Sequence, residues 1–203
     1  MKLFIDTSDV EKIEEYQDLG FIEGCTTNPK IMADEAVNDW ESKLEELSQL
    51  VEGPVSGEVT TNDEDEMVKQ ARKISSIGEN VNVKIPANKP GFRAVSRLEE
   101  VKINMTACMS PNQVFLAEKA GAEYASIFMG RVSDMGYNPS KVIEESSELC
   151  NDTKLIVGSI RKVYDIQNAF LSGADIVTTP PEFIDKMVEH QKTDEAVKEF
   201  LNS

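Results

Sequence analysis

The sequence predicts the α/β fold class and, within it, one (β/α)8 TIM barrel with an additional C-terminal helix. Short strand-like runs alternate with stretches of helical spacing along the whole chain. The length of 203 residues lies near the lower end of the range for such barrels, so we expect one domain over residues 1–203 with short loops. No GxGxxG motif follows the first strand, which removes the usual support for the alternative, an open doubly wound sheet.

The predicted strands are short β-rich runs between turn residues. They cover residues 2–6, 24–28, 54–59, 81–85, 101–106, 124–130, 154–159 and 176–179. Strands that alternate with helices pair in parallel, and eight such units can close into a barrel.

The helices between the strands are predicted from apolar spacing and from the glycines that follow them. Over residues 63–77, apolar side chains recur at intervals of three and four. The stretches 111–120 and 163–171 run up to Gly121 and Gly173, which are typical of helix C-terminal ends.

The sequence also predicts features of the first and the last helix. Thr7 or Ser8 is expected to cap the first helix, and Glu11 would complete a capping box with Ser8. Residues 193–203 are predicted to form a terminal helix with an apolar stripe on one side. Because an isolated barrel would expose that stripe, we expect the helix to dock on a neighbouring subunit.

The charge and hydropathy of the chain limit the classes of partner that are expected. Lys and Arg total 21 against 37 Asp and Glu, and the net charge of −16 disfavours nucleic acid and anionic membranes. An anionic small substrate stays open, since a few arginines can form a positive pocket. The sequence has no apolar run near the roughly 20 residues that span a bilayer. Its first residues also lack the apolar region of a signal peptide, so a cytoplasmic protein is expected.

Several site types have no support in the sequence. The three cysteines are widely spaced and form no CxxC pair, so neither a disulfide framework nor a structural zinc site is expected. His190 is the only histidine and lies in the C-terminal tail, which argues against a Ser-His-Asp or Cys-His site. No residues have metal-ligand spacing. We therefore predict chemistry without a metal or cofactor.

Polar residues stand at the predicted carboxyl end of nearly every strand, where barrel enzymes place their active sites. Parallel strands are normally apolar on both faces, so this set calls for a functional reason. Its members are Asp6, Asn28, Glu58, Lys84, Asn104, Thr106, Ser126, Arg131, Ser159, Arg161 and Thr179.

Lys84 interrupts an apolar strand that Pro86 ends. Burying an ammonium group is costly, and a lysine withdrawn from water favours the neutral, nucleophilic amine. The alternative is a lysine whose head reaches solvent, but the position at the barrel mouth favours a nucleophile. For Asp6, the sequence alone is compatible with two roles, a general acid/base and a turn-stabilising residue. Glu58, taken alone, is also explained as a structural hydrogen-bond acceptor.

Arg131 and Arg161 follow small residues at the ends of the sixth and seventh predicted strands. Their planar guanidinium groups suit bidentate contacts with phosphate, and barrels often hold phosphate at the later strand ends. Surface salt bridges are the alternative for both.

Eight segments, in this order, resemble the transaldolase family, particularly its short-chain branch, which also contains fructose-6-phosphate aldolases. They are FIDTS at 4–8, GCTTNP at 24–29, GEV at 57–59, VKIP at 83–86, NMT at 104–106, SIFMGR at 126–131, GSIR at 158–161 and GAD at 173–175. One segment alone would be weak, but the ordered set covers almost the whole chain.

The resemblance implies a role for each site residue. Lys84 matches the lysine that forms the Schiff base, and Asp6 matches the acid/base for the C4 hydroxyl proton. Glu58 and Thr106 match the pair that positions a catalytic water. Asn28 and Asn104 match the residues that hold the dihydroxyacetone portion of the substrate, and Ser126 lies beside them as a further substrate-binding candidate. Arg131, Ser159 and Arg161 match the phosphate-binding set.

Two positions distinguish the branches of the family. Transaldolases carry Glu and Phe where this chain has Glu58 and Phe128, whereas the aldolases carry Gln and Tyr. The resemblance therefore implies transfer of dihydroxyacetone from fructose 6-phosphate to erythrose 4-phosphate within a homo-oligomer, a pentamer or decamer. Three alternatives are an aldolase that releases free dihydroxyacetone, a silent barrel that only binds sugar phosphates, and a regulatory protein acting through its acidic surface.

Overall fold

The structure, a computed structural model that describes residues 1–202, is a closed barrel of eight parallel strands. In chain order, β1 to β8 are Lys2–Asp6, Cys25–Thr26, Val55–Glu58, Val81–Pro86, Ile103–Cys108, Tyr124–Phe128, Lys154–Gly158 and Ile176–Thr179. Each strand pairs with the next, and β8 pairs in parallel with β1 to close the ring. The predicted fold class is confirmed.

Helices connect the strands and surround the barrel. In chain order, α1 to α11 are Val10–Asp18, Pro29–Asp34, Trp40–Leu50, Glu64–Ser75, Lys89–Val95, Pro111–Lys119, Met129–Asp134, Pro139–Leu149, Val163–Leu171, Pro181–Val188 and Gln191–Leu201. The predicted helices over 63–77, 111–120 and 163–171 correspond to α4, α6 and α9. Gly121 and Gly173 follow α6 and α9 with φ of +78° and +101°, the left-handed conformation that ends helices. Within residues 1–202, no helix combines the length and apolar character needed to cross a membrane.

Four predicted strands are longer than the observed ones, and in two of them the extra residues begin helices. Asn28, predicted at the end of the second strand, instead caps α2, and Pro29 at the first helical position favours that early helix start. Met129 and Gly130, predicted as the end of the sixth strand, form the first turn of α7. Both corrections shorten the strands at the barrel mouth, so the mouth is lined by helix starts as well as strand ends.

The predicted cap of α1 is wrong. Asp9 is the N-cap, and its Oδ1 accepts hydrogen bonds from the backbone N–H groups of Glu11 and Lys12 at 3.0 and 3.3 Å. Thr7 and Ser8 do not cap the helix because their hydroxyl groups donate to the Glu35 carboxylate instead.

The side chains inside the barrel form two layers. Phe4, Tyr124, Ile156 and Ile176 form a buried apolar cluster that is separate from the main core between the strands and the helices. Successive side chains alternate across a strand, so the residues two positions later face the same interior nearer the mouth. Those positions hold Asp6, Ser126 and Thr178, among others. Below the polar layer, the interior therefore combines this apolar cluster with a hydrogen-bonded pair, Ser56 and Asn82, which lie two positions before Glu58 and Lys84.

The terminal helix α11 begins two residues before the predicted start at residue 193. Its Val197 and Leu201 side chains are exposed, at 47% and 81% of their surface. Ser203, predicted as the last residue of this helix, lies outside the described residues. Docking of α11 on a neighbouring subunit stays a prediction.

Candidate active site

Lys84 lies in the polar layer between two other site residues. The strand register places Lys84 of β4 beside Glu58 of β3 and Asn104 of β5. Only 5% of Lys84 is exposed. Its Nζ donates to the backbone oxygen of Thr27 at 3.0 Å and lies 3.4 Å from Glu58 Oε2. The amine is thus held inside the barrel beside a carboxylate that can exchange a proton with it.

Asp6 ends β1 on the other side of the mouth. Its Oδ1 accepts a hydrogen bond from Thr26 Oγ1 at 2.6 Å, and Thr26 Oγ1 lies 2.6 Å from Thr178 Oγ1. A hydroxyl has one proton. When Thr26 donates to Asp6, Thr178 must therefore donate to Thr26, and the two hydrogen bonds polarise each other.

The pKa of Asp6 is raised above its ordinary value. Burial is the largest cause, because it penalises the charged carboxylate. The positive charge of Lys84 and the hydrogen bond from Thr26 lower this pKa, whereas the charge of Glu35 raises it further. A carboxyl group whose pKa is raised by burial and partly lowered by its neighbours is suited to proton exchange with a substrate hydroxyl.

Asn104 presents an unused donor to the interior. Its Oδ1 accepts a hydrogen bond from Ser126 Oγ at 2.7 Å, which fixes the amide orientation. Among residues 1–202, the Nδ2 atom of Asn104 is buried and has no hydrogen-bond partner. An unsatisfied buried donor is costly, so this atom marks a place where a ligand oxygen would be stabilised.

Like Asn104, Thr106 carries a buried polar atom that no described residue bonds, and it lies at an irregularity in β5. Its Oγ1 is buried and lacks a partner within the part of the chain that the structure describes. The register with β6 shifts between Met105 and Cys108, and Ala107 adopts a φ of +59°. Bulges of this kind change the direction of side chains next to active sites. The sequence gives no sign of this bulge, since neither Thr106 nor Ala107 favours it.

The candidate phosphate residues meet around Gly130. A Cβ atom on Gly130 would lie 2.6 Å from Arg161 Nε and 2.8 Å from Ser159 Oγ, so only glycine permits this approach. Ser159 has a φ of +59°, and its carbonyl accepts a hydrogen bond from Gly130 N at 3.0 Å. Two donor groups, from Ser159 and Arg161, are thereby brought to one place.

Arg161 is paired with a carboxylate that the sequence analysis missed. Its Nη1 and Nη2 donate to the two oxygens of Asp134 at 2.6 and 2.5 Å. The hydrogen bonds and charge of Arg161, together with the charge of the exposed Arg131, lower the pKa of Asp134. Both arginines therefore lie close to one acidic group, which holds Arg161 in a fixed orientation.

Two remaining candidates flank the mouth. Asn28 is half-buried, and its Oδ1 caps α2 by accepting from Lys30 N and Ile31 N. Its amide nitrogen is therefore the atom left for a ligand. Phe128 ends β6, is half-buried, and precedes α7. In the described residues, no group of three or more His, Cys, Asp or Glu side chains is arranged to hold a metal ion.

Comparison with known sequences gives a family match over nearly the whole chain. Residues 3–203 match the family described as transaldolase/fructose-6-phosphate aldolase. A probable transaldolase of Methanococcus maripaludis strain C5 is 42% identical over 207 residues, covering 99% of this chain and 96% of the relative. A probable transaldolase of Thermoplasma volcanium is 38% identical over 209 residues, covering 99% and 94%.

Comparison with solved structures gives the fold alone, because the identities are low. The thiamine phosphate pyrophosphorylase of Pyrococcus furiosus superposes with a TM-score of 0.63 at 14% identity, covering 88% of this chain and 85% of that one. The YdjI aldolase of Escherichia coli K12 gives 0.59 at 12%, covering 89% and 75%. The inosine 5′-monophosphate dehydrogenase of Legionella pneumophila gives 0.63 at 14%, and this chain spans 58% of its length.

Proposed function

The chain belongs to the transaldolase/fructose-6-phosphate aldolase family, and we propose that it transfers a dihydroxyacetone unit between sugar phosphates through a Schiff base on Lys84. The proposed donor is fructose 6-phosphate and the acceptor erythrose 4-phosphate, as in the pentose phosphate pathway. The products are glyceraldehyde 3-phosphate and sedoheptulose 7-phosphate. The observation that carries this proposal is a lysine amine held inside the barrel, 3.4 Å from the Glu58 carboxylate.

Imine formation is the first step. The neutral Lys84 amine adds to the C2 carbonyl of the ketose, and Glu58 is the group placed to accept the proton that the ammonium must lose first. The carbinolamine then loses its hydroxyl as water, which requires a proton donor. Thr106 Oγ1, buried and unpartnered among the described residues, is the proposed site at which a water is held for this transfer.

Cleavage of the C3–C4 bond follows. Asp6 takes the proton of the C4 hydroxyl, the C4–O bond becomes the aldehyde carbonyl, and the electron pair of the broken bond moves into the iminium. The result is a neutral enamine on Lys84 and free glyceraldehyde 3-phosphate. The raised pKa of Asp6 favours this proton uptake, because burial disfavours the charged carboxylate relative to the protonated form.

The other polar groups bind the substrate in this proposal. Asn104 Nδ2 donates to an oxygen of the three-carbon unit, and Ser126 keeps the amide in that orientation. Asn28 adds an amide donor on the opposite strand end. The phosphate is held by Ser159 and by Arg131 and Arg161, whose charges offset the strongly acidic surface of the chain.

Phe128 favours transfer over release. The enamine persists until an aldehyde arrives only if its carbon is kept from proton donors, and a phenyl ring at this strand end donates no proton. With an acceptor, the same steps run in reverse and regenerate the Lys84 amine. Release of free dihydroxyacetone, the aldolase reaction of the same family, is the second candidate function.

Mass spectrometry after borohydride reduction tests the chemistry. With fructose 6-phosphate present, we expect a three- or six-carbon mass addition on the peptide that contains Lys84, and none in Lys84→Ala. Lys102→Ala is the control, because Lys102 Nζ donates to the Glu79 backbone at the opposite end of the barrel. A label on another lysine would contradict the assignment. Glyceraldehyde 3-phosphate formed only with erythrose 4-phosphate distinguishes transfer from release.

We also propose that copies of this chain associate, with α11 reaching a neighbouring subunit. The exposed Val197 and Leu201 side chains lie four residues apart, on one face of the helix. Apolar groups at this spacing are stabilised by burial against another surface.

A further inference from the structure

Glu35 accepts hydrogen bonds from two consecutive residues next to Asp6. Thr7 Oγ1 donates to Glu35 Oε1 at 2.5 Å, Ser8 N donates to Oε2 at 2.7 Å, and Ser8 Oγ donates to the same Oε2. Thr7 and Ser8 are only 1% and 3% exposed, whereas Glu35 lies at the surface. One carboxylate therefore satisfies three donors that folding removes from water.

The cap of α1 does not require these hydrogen bonds. Asp9 already supplies that cap through its own side chain, so α1 would begin at the same residue without Glu35. The Glu35 interactions instead fix the junction between β1 and α1. Hydrogen bonds to an ionised acceptor are stronger than those between neutral groups, which suits a contact that must hold a short segment in place.

Glu35 also connects this junction to a second side of the mouth. It is the C-cap of α2, the six-residue helix that Asn28 begins. The next residue, Ala36, has a φ of +57°, a conformation that is unfavourable for alanine. The chain thus adopts a strained backbone directly after the residue whose carboxylate reaches Thr7 and Ser8, and such outliers point to a function.

The Glu35 charge acts on Asp6 as well. Four groups interact with Asp6: the Thr26 hydroxyl through a hydrogen bond, and the Lys84 amine, the Glu35 carboxylate and the Cys25 thiol through their charges. Burial raises the pKa of Asp6 most, Lys84 and Thr26 lower it, and Glu35 raises it. Burial also raises the pKa of the Cys25 thiol well above its ordinary value, so that group stays neutral.

We propose that Glu35 is a positioning residue for Asp6: it holds the β1–α1 junction against α2 and keeps the Asp6 carboxyl in its proton-accepting orientation and charge environment. The kinetic consequence rests on the proposed function, but the structural one does not. Glu35 touches neither the substrate nor Lys84 in this role. Its effect reaches the reaction only through Asp6.

Two matched variants separate this role from a general charge effect. Glu35→Gln has nearly the same shape but loses the charge and one carboxylate oxygen. Asp34→Asn removes the same charge one residue away, where the exposed side chain forms an ion pair with Lys30. As a second route that keeps Glu35 intact, Ser8→Ala deletes one of the three donors. Circular dichroism and thermal melts show that each variant folds before it is compared.

Two measurements do not depend on any enzymatic activity. A carbon-13 NMR titration follows the carboxyl resonance of Asp6, assigned by its loss in Asp6→Asn, and we expect the pKa of Asp6 to fall in Glu35→Gln but not in Asp34→Asn. Hydrogen exchange of the Ser8 and Asp9 amides should become about tenfold faster in Glu35→Gln and in Ser8→Ala. An unchanged pKa of Asp6 together with unchanged exchange in Glu35→Gln would overturn the proposal.

The third measurement is steady-state kinetics with a pH profile. We expect kcat for fructose 6-phosphate to fall about ten- to a hundredfold in Glu35→Gln with little change in KM, because the misplaced group acts in cleavage and not in binding. The acidic limb of kcat should move to lower pH. Normal kcat with normal Lys84 labelling would reject the kinetic role and leave the proposed function standing. Absence of Lys84 labelling in the wild type would reject the function, while titration and exchange would still decide the structural role.

Discussion

The Lys84 Nζ and the Glu58 Oε2 atoms lie 3.4 Å apart on residues that pair directly across neighbouring strands. A lysine that is 5% exposed needs such a partner, because an unpaired ammonium at this depth would be strongly unfavourable. On the proposed chemistry, the same carboxylate takes the proton when the amine becomes a nucleophile. In that proposal, the stability of the resting site and its reactivity both depend on one contact.

Replacing Glu58 by Gln should slow imine formation. The amide keeps the side-chain shape but neither balances the Lys84 charge nor accepts its proton, so we expect the rate of borohydride trapping to fall about a hundredfold. The measurement is single-turnover trapping with fructose 6-phosphate. Glu41→Gln, a change in a surface ion pair with Lys73, is the control and should leave the rate unchanged. Equal rates in wild type and Glu58→Gln would show that another group takes the proton.

Replacing Arg131 or Arg161 by Ala should selectively weaken the binding of phosphorylated substrates. Loss of a charged hydrogen-bond partner typically costs about 1.5–3 kcal/mol, or roughly ten- to a hundredfold in affinity. Competition by fructose 6-phosphate and by unphosphorylated dihydroxyacetone measures the difference, and the exposed neighbour Lys162→Ala is the control. If the affinities for both ligands fall equally, the arginines have a structural role and do not bind the phosphate.

Asp134 should affect binding mainly through Arg161, whose guanidinium group donates two hydrogen bonds to it. In Asp134→Asn the bidentate contact is lost, so the guanidinium gains rotational freedom that must be lost again on phosphate binding. We expect KM for fructose 6-phosphate to rise several-fold, with kcat nearly unchanged. The double variant with Arg161→Ala should be no worse than Arg161→Ala alone. Additive losses would mean that Asp134 acts independently of that arginine.

Replacing Phe128 by Tyr should increase release of free dihydroxyacetone. The added hydroxyl can donate or relay a proton to the enamine carbon. Without acceptor, glyceraldehyde 3-phosphate formation from fructose 6-phosphate should rise roughly tenfold, while transfer to erythrose 4-phosphate falls. A wild type that already turns over freely without acceptor, and is unaffected by this substitution, would be an aldolase.

Asp6→Asn should stabilise the folded protein at neutral pH. Because the pKa of Asp6 is raised in the folded state, the folded chain binds this proton more tightly than the unfolded chain does. The resulting stability is present below the ordinary value of 3.8 and is lost as the pH rises through the folded pKa. The difference in free energy of unfolding between Asp6→Asn and wild type should therefore grow with pH and then level off. Urea titrations from pH 3.5 to 8 measure it, and a difference independent of pH would contradict the assigned shift.

The fold and the site were predictable to different degrees. The first and last strands in the chain, 2–6 and 176–179, were predicted at their observed bounds, since short runs with clear ends define them. At the mouth, the apolar pattern that identifies a strand ends. The polar residues that follow are compatible with either a strand end or a helix start. There the prediction placed Asn28, Met129 and Gly130 in strands, whereas they begin helices.

The supporting contacts of the site were not predictable because they join distant parts of the chain. Thr26 and Thr178 are 152 residues apart, and Arg161 and Asp134 are 27 apart. The local sequence predicts Thr7 and Ser8 as helix caps, because a hydroxyl commonly bonds to nearby backbone, and only the folded chain brings Glu35 to them. Residue type and order predicted which polar groups lie at the mouth, but not the groups that contact and orient them.

The buried cluster of Phe4, Tyr124, Ile156 and Ile176 has a kinetic consequence. Because these packed side chains lie below the polar layer, we expect both aldehydes to enter and leave at the mouth. On the proposed chemistry, both aldehydes bond to the same carbon of the enamine, so the first must leave before the second reacts, and turnover alternates between two half-reactions. Initial-rate plots against both substrates should therefore be parallel lines, the pattern of ping-pong exchange, and glyceraldehyde 3-phosphate should inhibit by competing with erythrose 4-phosphate for the loaded enzyme.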